Sequence, residues 1–264
     1  MAAVSGWFGR KAVIGAGAAV VAAVLVAGSL VLSEPGGGRV PARPAAVAVR
    51  AAAPPPAPPA SVPPPAPPAF IATLGAAVSY SATPGGPPAG NLAATNPFGD
   101  RQVLAVIGAP DGSGWLHVEL PVRPNGATGW IPAAGVTLAT TYFRVAVDRA
   151  AHTLTVTDAG STVLTTPAAV GAPASPTPAD STYLWELIRP DDPAGAYGPY
   201  IFGLAEFSDA YATFNGGDAQ IGIHGQDEPW SVGQAVSHGC VRLPNDVITR
   251  LAGMLPLGTP VTIS

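Results

Sequence analysis

From Phe70 onward, apolar and polar residues alternate in short runs separated by Gly, Asn and Asp turns, the pattern of half-buried strands. Val103-Leu104-Ala105-Val106-Ile107 leads to the turn Asp111-Gly112-Ser113-Gly114, and Trp115-Leu116-His117-Val118 alternates. Asn125-Gly126 reads as a two-residue hairpin turn with both residues at positive φ, and Trp130-Ile131 opens another strand. About five strands in 70–140 predict a small β-barrel. Further on, Phe143, Val145 and Val147 share a face, and Leu154 and Val156 follow a turn at 148–151. More strands are predicted at 161–165, 182–188, 200–207 and 219–224. One helix is expected, with Asn245 as its cap and Val247, Ile248, Leu251 and Leu255 at helical spacing. Leu257-Gly258-Thr259-Pro260 ends it, before a last strand through Val261 and Ile263. The expected fold class is mainly β: the small barrel over 70–140, then a sandwich with one short helix over 141–264.

The N-terminal quarter breaks this pattern. Residues 12–32 carry no charge, and as a helix they would span about 30 Å, the thickness of a bilayer core. Arg10 and Lys11 precede them, so 1–11 reads as a cytoplasmic flank and 12–32 as a transmembrane signal anchor. Residues 33–69 form a Pro/Ala-rich linker, holding 13 of the 32 prolines. Proline fixes φ and lacks a donor, so an extended polyproline II segment is expected, with a reach of roughly 100 Å. Together these features predict a cell-envelope protein whose folded part lies outside the cytoplasmic membrane.

Composition narrows the partners. The net charge of −4 divides into +4 over 1–69 and −8 over 70–264, where there is no lysine. Without a basic stripe, nucleic acid is excluded as the main partner. A single cysteine excludes an intramolecular disulfide and a Cys-rich metal cage.

That cysteine sits in the most informative stretch. Ile221-Gly222-Ile223-His224-Gly225 is followed, after a loop, by Ser237-His238-Gly239-Cys240-Val241-Arg242-Leu243. A free thiol is only a few per cent ionised at neutral pH, so a nucleophilic Cys240 needs a base. His238, two residues away, would share its face in an extended backbone, and His224 ends an apolar strand. The glycines permit close approach of substrate, and the amides around Gly239 and Cys240 are suited to binding an oxyanion. Zinc held by His224, His238 and Cys240 is the rival reading of the same residues. His117 and His152 fall at solvent-facing phase and receive no role.

His224-Gly225 and the Ser-His-Gly-Cys-Val-Arg run resemble the L,D-transpeptidases, or YkuD domains, of bacterial cell-wall metabolism. Ala174-Ser175-Pro176-Thr177-Pro178, Tyr197-Gly198-Pro199-Tyr200 and Phe214-Asn215-Gly216-Gly217-Asp218 support the likeness. It covers roughly 142–264. Upstream, Gly114-Trp115-Leu116 and Gly129-Trp130-Ile131 resemble the bacterial SH3-like modules of cell-wall enzymes, where Trp115 and Trp130 are expected to pack.

The resemblance implies an enzyme acting on peptidoglycan stem peptides, with Cys240 as nucleophile, His224 as proton acceptor and donor, and no metal or cofactor. Ser237, His238 and Gly239 would support the site and its oxyanion. Arg242, Tyr200, Trp230 and Gly225 are candidate substrate contacts, with Tyr197 and Tyr200 in a flap over the cleft. Carbapenem-type β-lactams would be covalent inhibitors. With water as acceptor the same site would be an L,D-carboxypeptidase, and an inert wall-binding protein is the non-catalytic alternative.

Overall fold

The structure is a computed structural model that describes residues 66–264. The expected flank, apolar span and all but the last residues of the linker lie outside the described residues. Among the described residues, no helix is long and apolar enough to cross a membrane.

Residues 69–141 form seven strands: β1 (Ala69–Leu74), β2 (Val78–Ser81), β3 (Pro88–Leu92), β4 (Val103–Val106), β5 (Trp115–Glu119), β6 (Thr128–Pro132) and β7 (Val136–Thr141). They make one antiparallel sheet in the order β3-β2-β6-β5-β4-β1-β7. Leu74, Leu104, Leu116, Val118 and Ile131 fill its apolar face.

Asn125-Gly126 is not a two-residue hairpin. Residues 120–127 connect β5 to β6, closed by Leu120 N–H donating to the Ala127 carbonyl at 2.8 Å, and of the pair only Gly126 has positive φ. The Asn125 side chain is committed elsewhere. Its amide donates to the Phe207 carbonyl (2.8 Å), and its oxygen accepts from the Phe207 N–H (2.9 Å).

The second sheet has eight strands. These are β8 (Phe143–Asp148), β9 (Thr153–Asp158), β10 (Ser161–Pro167), β12 (Ser181–Ile188), β13 (Ile201–Phe207), β14 (Gln220–His224), β16 (Val241–Arg242) and β17 (Pro260–Ile263). Their order is β10-β9-β8-β17-β12-β13-β14-β16, with β17/β8 and β14/β16 parallel. The short strands β11 (Val170–Gly171) and β15 (Ala235–Ser237) pair in parallel beside it.

The one α-helix among the described residues, α1 (Asn245–Met254), buries Ile248 and Leu251. Together with Leu255 they join the core of Val145, Leu154, Leu184 and Phe202, each aliphatic side chain gaining about 1.5–3 kcal/mol on burial. Asn245 is not the helix cap: Pro244 holds that position, and no side chain caps the helix. The helix stops at Met254, ahead of the expected Leu257–Pro260 break, with Leu255 already extended.

Two histidines expected to face solvent have partners. The His152 ring nitrogen Nδ1 bonds the Gly233 carbonyl at 2.7 Å, and His117 stacks on Trp130 at 4.7 Å.

Three carboxyl groups are packed into this part of the fold without a hydrogen-bond partner for at least one oxygen: Glu119 on β5, Glu186 on β12 and Glu206 on β13. Burial pushes Glu119 and Glu186 up to about 7 and Glu206 to about 8, with nearby acids adding to the rise.

Candidate active site

Side chains alternate across a strand, and one register decides what faces the cleft. Ile223 of β14 pairs with Val241 of β16, and both are buried in the core. The flanking positions Gly222, His224, Cys240 and Arg242 therefore point the other way, and all four line a cavity of about 200 Å³. Gly203 of β13, paired with Gly222, lines it too, so the floor beside Cys240 is bare backbone. A Cβ at Gly203 would come within 2.6 Å of a Glu186 carboxyl oxygen.

Cys240 is half-buried, and its Sγ accepts a hydrogen bond from Gly222 N–H at 3.4 Å. Burial raises its pKa, while the Gly222 amide and the Arg242 charge pull it down. His224 is buried at the end of β14, and its Nδ1 bonds the Gly225 carbonyl. A carbonyl only accepts, so Nδ1 carries the hydrogen and Nε2 is left as a bare acceptor. Burial lowers the His224 pKa to about 4; the Gly225 bond opposes this, and Arg242 adds to it. At neutral pH the resting pair is thus a neutral thiol and a neutral imidazole.

Ser237 organises the turn that carries the thiol. Its Oγ donates to the Cys240 carbonyl (2.6 Å) and accepts from Gly239 N–H (3.1 Å). Ser175 Oγ and Ala172 N–H in turn donate to the Ser237 carbonyl. The Gly239 amide, expected to face an oxyanion, is therefore occupied. Among the described residues, the amides of His238 and Cys240 make no hydrogen bond. Gly239 has φ +126°, and a Cβ there would lie 2.9 Å from Ile221 Cδ1, so the turn demands glycine.

That bend also separates His238 from the extended geometry expected of it. His238 is exposed, lines the cavity and packs its ring near Phe214 (5.2 Å) and Tyr211 (6.2 Å). Among the described residues, no three His, Cys, Asp or Glu side chains come together as a metal cage would require.

Behind His224, Asn245 Oδ1 accepts from Gln226 N–H at 2.7 Å. A Cβ on Gly225 would run into that oxygen, so Gly225 serves close packing around His224 and does not line the cavity.

Two loops cover the cleft. Tyr197, from the connection between β12 and β13, sets its ring 4.9 Å from His224. Phe214 and Asn215, from the connection between β13 and β14, line the cavity with it, and Asn215 Nδ2 donates to the Tyr197 hydroxyl at 3.4 Å. Burial raises the Tyr197 pKa, and the Asn215 bond opposes it.

Of the candidate substrate contacts, only Arg242 lines the cavity. Its guanidinium pairs with Glu228 at 3.0 Å, while its Nε is buried without a partner. Tyr200 packs on the core under the Arg189 guanidinium, and Trp230 is 59% exposed in the 3-10 turn Pro229–Ser231. Neither reaches the cavity. The roof residues Phe214 and Asn215 received no role from sequence, although the Asn-Gly-Gly turn beside them signalled a tight reversal; Asn215 sits at φ +49°.

The family profile for the L,D-transpeptidase catalytic domain, YkuD, matches residues 142–263. The putative L,D-transpeptidase YkuD of Bacillus subtilis (strain 168) is 34% identical over 122 residues, covering 46% of this chain and 66% of the relative. The protein of the same description from Bacillus licheniformis is 33% identical over 122 residues, with the same coverage. The chain thus spans just under two-thirds of the length of these relatives. A solved L,D-transpeptidase from Mycobacterium smegmatis aligns with a TM-score of 0.37 at 21% identity, covering 62% of this chain and 91% of that one.

Proposed function

Given that residues 142–263 are an L,D-transpeptidase catalytic domain of the YkuD family, we propose that the chain transfers peptidoglycan stem peptides through a thioester on Cys240. The observation that carries this reading is the β14/β16 register, which turns Cys240 and His224 to one cavity while Gly225 commits the His224 Nδ1.

Cys240 Sγ attacks the carbonyl between the third residue, a diamino acid, and the following D-alanine. His224 Nε2 takes the thiol proton. The free amides of Cys240 and His238 are the donors suited to the developing oxyanion, each such donor being worth about 10²–10³ in rate. As the tetrahedral species collapses, the C–N bond breaks and His224 returns its proton to the leaving amine. The side-chain amine of a second stem then attacks the thioester and gives up a proton to His224, and Cys240 departs as thiol, leaving a third-to-third crosslink. The Arg242 charge favours the thiolate and disfavours the imidazolium, so it eases loss of the thiol proton and helps His224 pass that proton on to the leaving amine, while making the ring a weaker acceptor. A β-lactam carbonyl offered to the same sulfur would acylate it, so carbapenems are proposed inhibitors.

We read 70–140 as an SH3-like module, 12–32 as a membrane anchor and 33–69 as a spacer, which together place the catalytic domain in the cell envelope.

The test is digestion of purified peptidoglycan after incubation with the protein, followed by mass spectrometry. Crosslinked stem dimers formed by the wild type and absent with Cys240→Ala support the reading. Tripeptides without dimers would instead make the enzyme an L,D-carboxypeptidase. Turnover by Cys240→Ala would refute the thioester.

A further inference from the structure

The roof of the cleft is fastened from outside the catalytic sheet. Arg123, in the loop between β5 and β6, reaches the segment between β13 and β14 and donates to three of its backbone carbonyls. Nη1 bonds Ser208 O at 3.0 Å, while Nη2 bonds Tyr211 O at 3.1 Å and Asp218 O at 2.9 Å. Its guanidinium also lies over the Phe207 ring, 5.1 Å from the centroid.

These carbonyls belong to both ends of a loop whose other backbone hydrogen bonds are made within the loop and its base. Ser208 N–H closes the base onto Ala219, and Phe214 and Gly217 bond each other at the tip. Between them the Ser208 hydroxyl accepts from the Ala210 and Tyr211 amides at 3.2 Å. Phe214 and Asn215, which line the cavity, and Tyr211, which lies against His238, all fall in this loop. A planar guanidinium holds its donors in a fixed fork on separate nitrogens and so reaches diverging carbonyls, whereas the three donors of an ammonium radiate from a single nitrogen. Three charge-assisted bonds to carbonyls so far apart in sequence fix both limbs of the loop at one point.

We propose that Arg123 is a positioning residue for the cleft: through it, the upstream sheet sets the height of the Phe214–Asn215 roof over Cys240 and thereby controls how tightly the stem peptide is held. The upstream sheet is then a working part of the site. Asn125, two residues on, provides an internal comparison, because it bonds Phe207 on β13 and leaves the roof loop alone.

The inference takes its substrate from the transfer reading above, so its test has one arm independent of activity. In the full chain, Arg123→Ala is expected to speed amide hydrogen exchange across 209–218 and to raise KM for the donor stem roughly tenfold while changing kcat by less than about threefold. Alkylation of Cys240 by iodoacetamide, a reagent too small to need the roof, keeps its wild-type rate and pH profile. Arg123→Lys, with one donor head in place of the fork, falls between. Asn125→Ala lowers the melting temperature but leaves exchange in the loop and KM unchanged.

The proposal is overturned if loop exchange in Arg123→Ala matches wild type, or if Asn125→Ala raises KM equally, which would mean general loosening of the junction. If Arg123→Ala does not fold, the exchange and KM of Arg123→Lys decide by the same criteria. A wild type that exchanges as expected but transfers no stem peptide would refute the transfer reading and leave the loop assignment standing.

Discussion

Asn245 accepts the Gln226 amide at 2.7 Å, and this one bond ties the start of α1 to the chain just past His224. Asn245→Ala leaves a buried amide without an acceptor, a loss of about 1–3 kcal/mol. For a chain of this size the melting temperature should fall by about 2–4 °C per kcal/mol, and transfer should slow as His224 loses its backing. Asn245→Asp keeps the oxygen and should restore most of both. Thermal melts and transfer rates of the two variants test this, and equal behaviour of Ala and Asp would contradict it.

The neutral resting pair has a pH signature. A His224 pKa lowered to about 4 means that the ring remains a base as the pH falls from 7 to 5. The acid limb of kcat/KM should therefore lie near pH 4, well below the usual histidine range. A limb close to 6.5 in steady-state profiles would show that the ring is more open to water than its burial indicates.

Gly239 cannot accept a side chain without movement of the turn. Gly239→Ala combines a positive φ with a 2.9 Å approach to Ile221, and the strain is about 1–3 kcal/mol. The expected outcome is a lower melting temperature together with slower alkylation of Cys240. Unchanged alkylation would show that the thiol does not depend on this turn.

The buried carboxyls make stability fall with pH. Glu119, Glu186 and Glu206 have folded-state pKa values raised to about 7, 7 and 8, so between their ordinary value of 4.5 and about 8 the folded chain binds more protons than the unfolded one. Stability is then highest below about 4.5 as far as these groups decide it, and is lost progressively up to about 8. Asp180, Asp209 and Asp100 are the acids that add to the effect. Glu206→Gln keeps the shape and removes the charge, so it should raise the melting temperature at pH 8.5 more than at pH 5. An equal change at both would rule out titration as the cause.

Acylation by a carbapenem should add one inhibitor mass to the intact chain and none to Cys240→Ala. His224→Ala should slow the reaction by about 10²–10⁴, the usual contribution of a general base. Adduct formation on the Cys240→Ala chain would place the reactive group elsewhere.

Much of this was legible in the sequence because it depends on short-range rules. Alternation located β8, β9, β10, β12, β13, β14 and β17 to within a residue or two but not the two-residue β16, and helical spacing found α1. Cys240 and His224 stood out because a lone thiol beside Ser-His-Gly has few other uses. What escaped was set by side chains bonding across long sequence gaps. Asn125 looked like a turn residue and Asn245 like a cap, since both have those local propensities, yet each gives its amide group to a distant backbone. Tyr200 was expected in a Pro/Gly/Asp-rich flap and Trp230 in the loop between the two halves of the motif. Strand direction and an exposed 3-10 turn take them away from the cleft, and the roof falls to Phe214 and Asn215.

Gly203 and Gly222 face each other across β13 and β14 beside the Cys240 sulfur, and this makes the pocket asymmetric in what change it tolerates. A methyl group on the first would press against a sealed acid and on the second against Ile201 and Phe202. On the proposed reading, substitutions that alter which stem is accepted are expected first in the covering loops, where side chains can be exchanged without disturbing the strands beside Cys240 and His224.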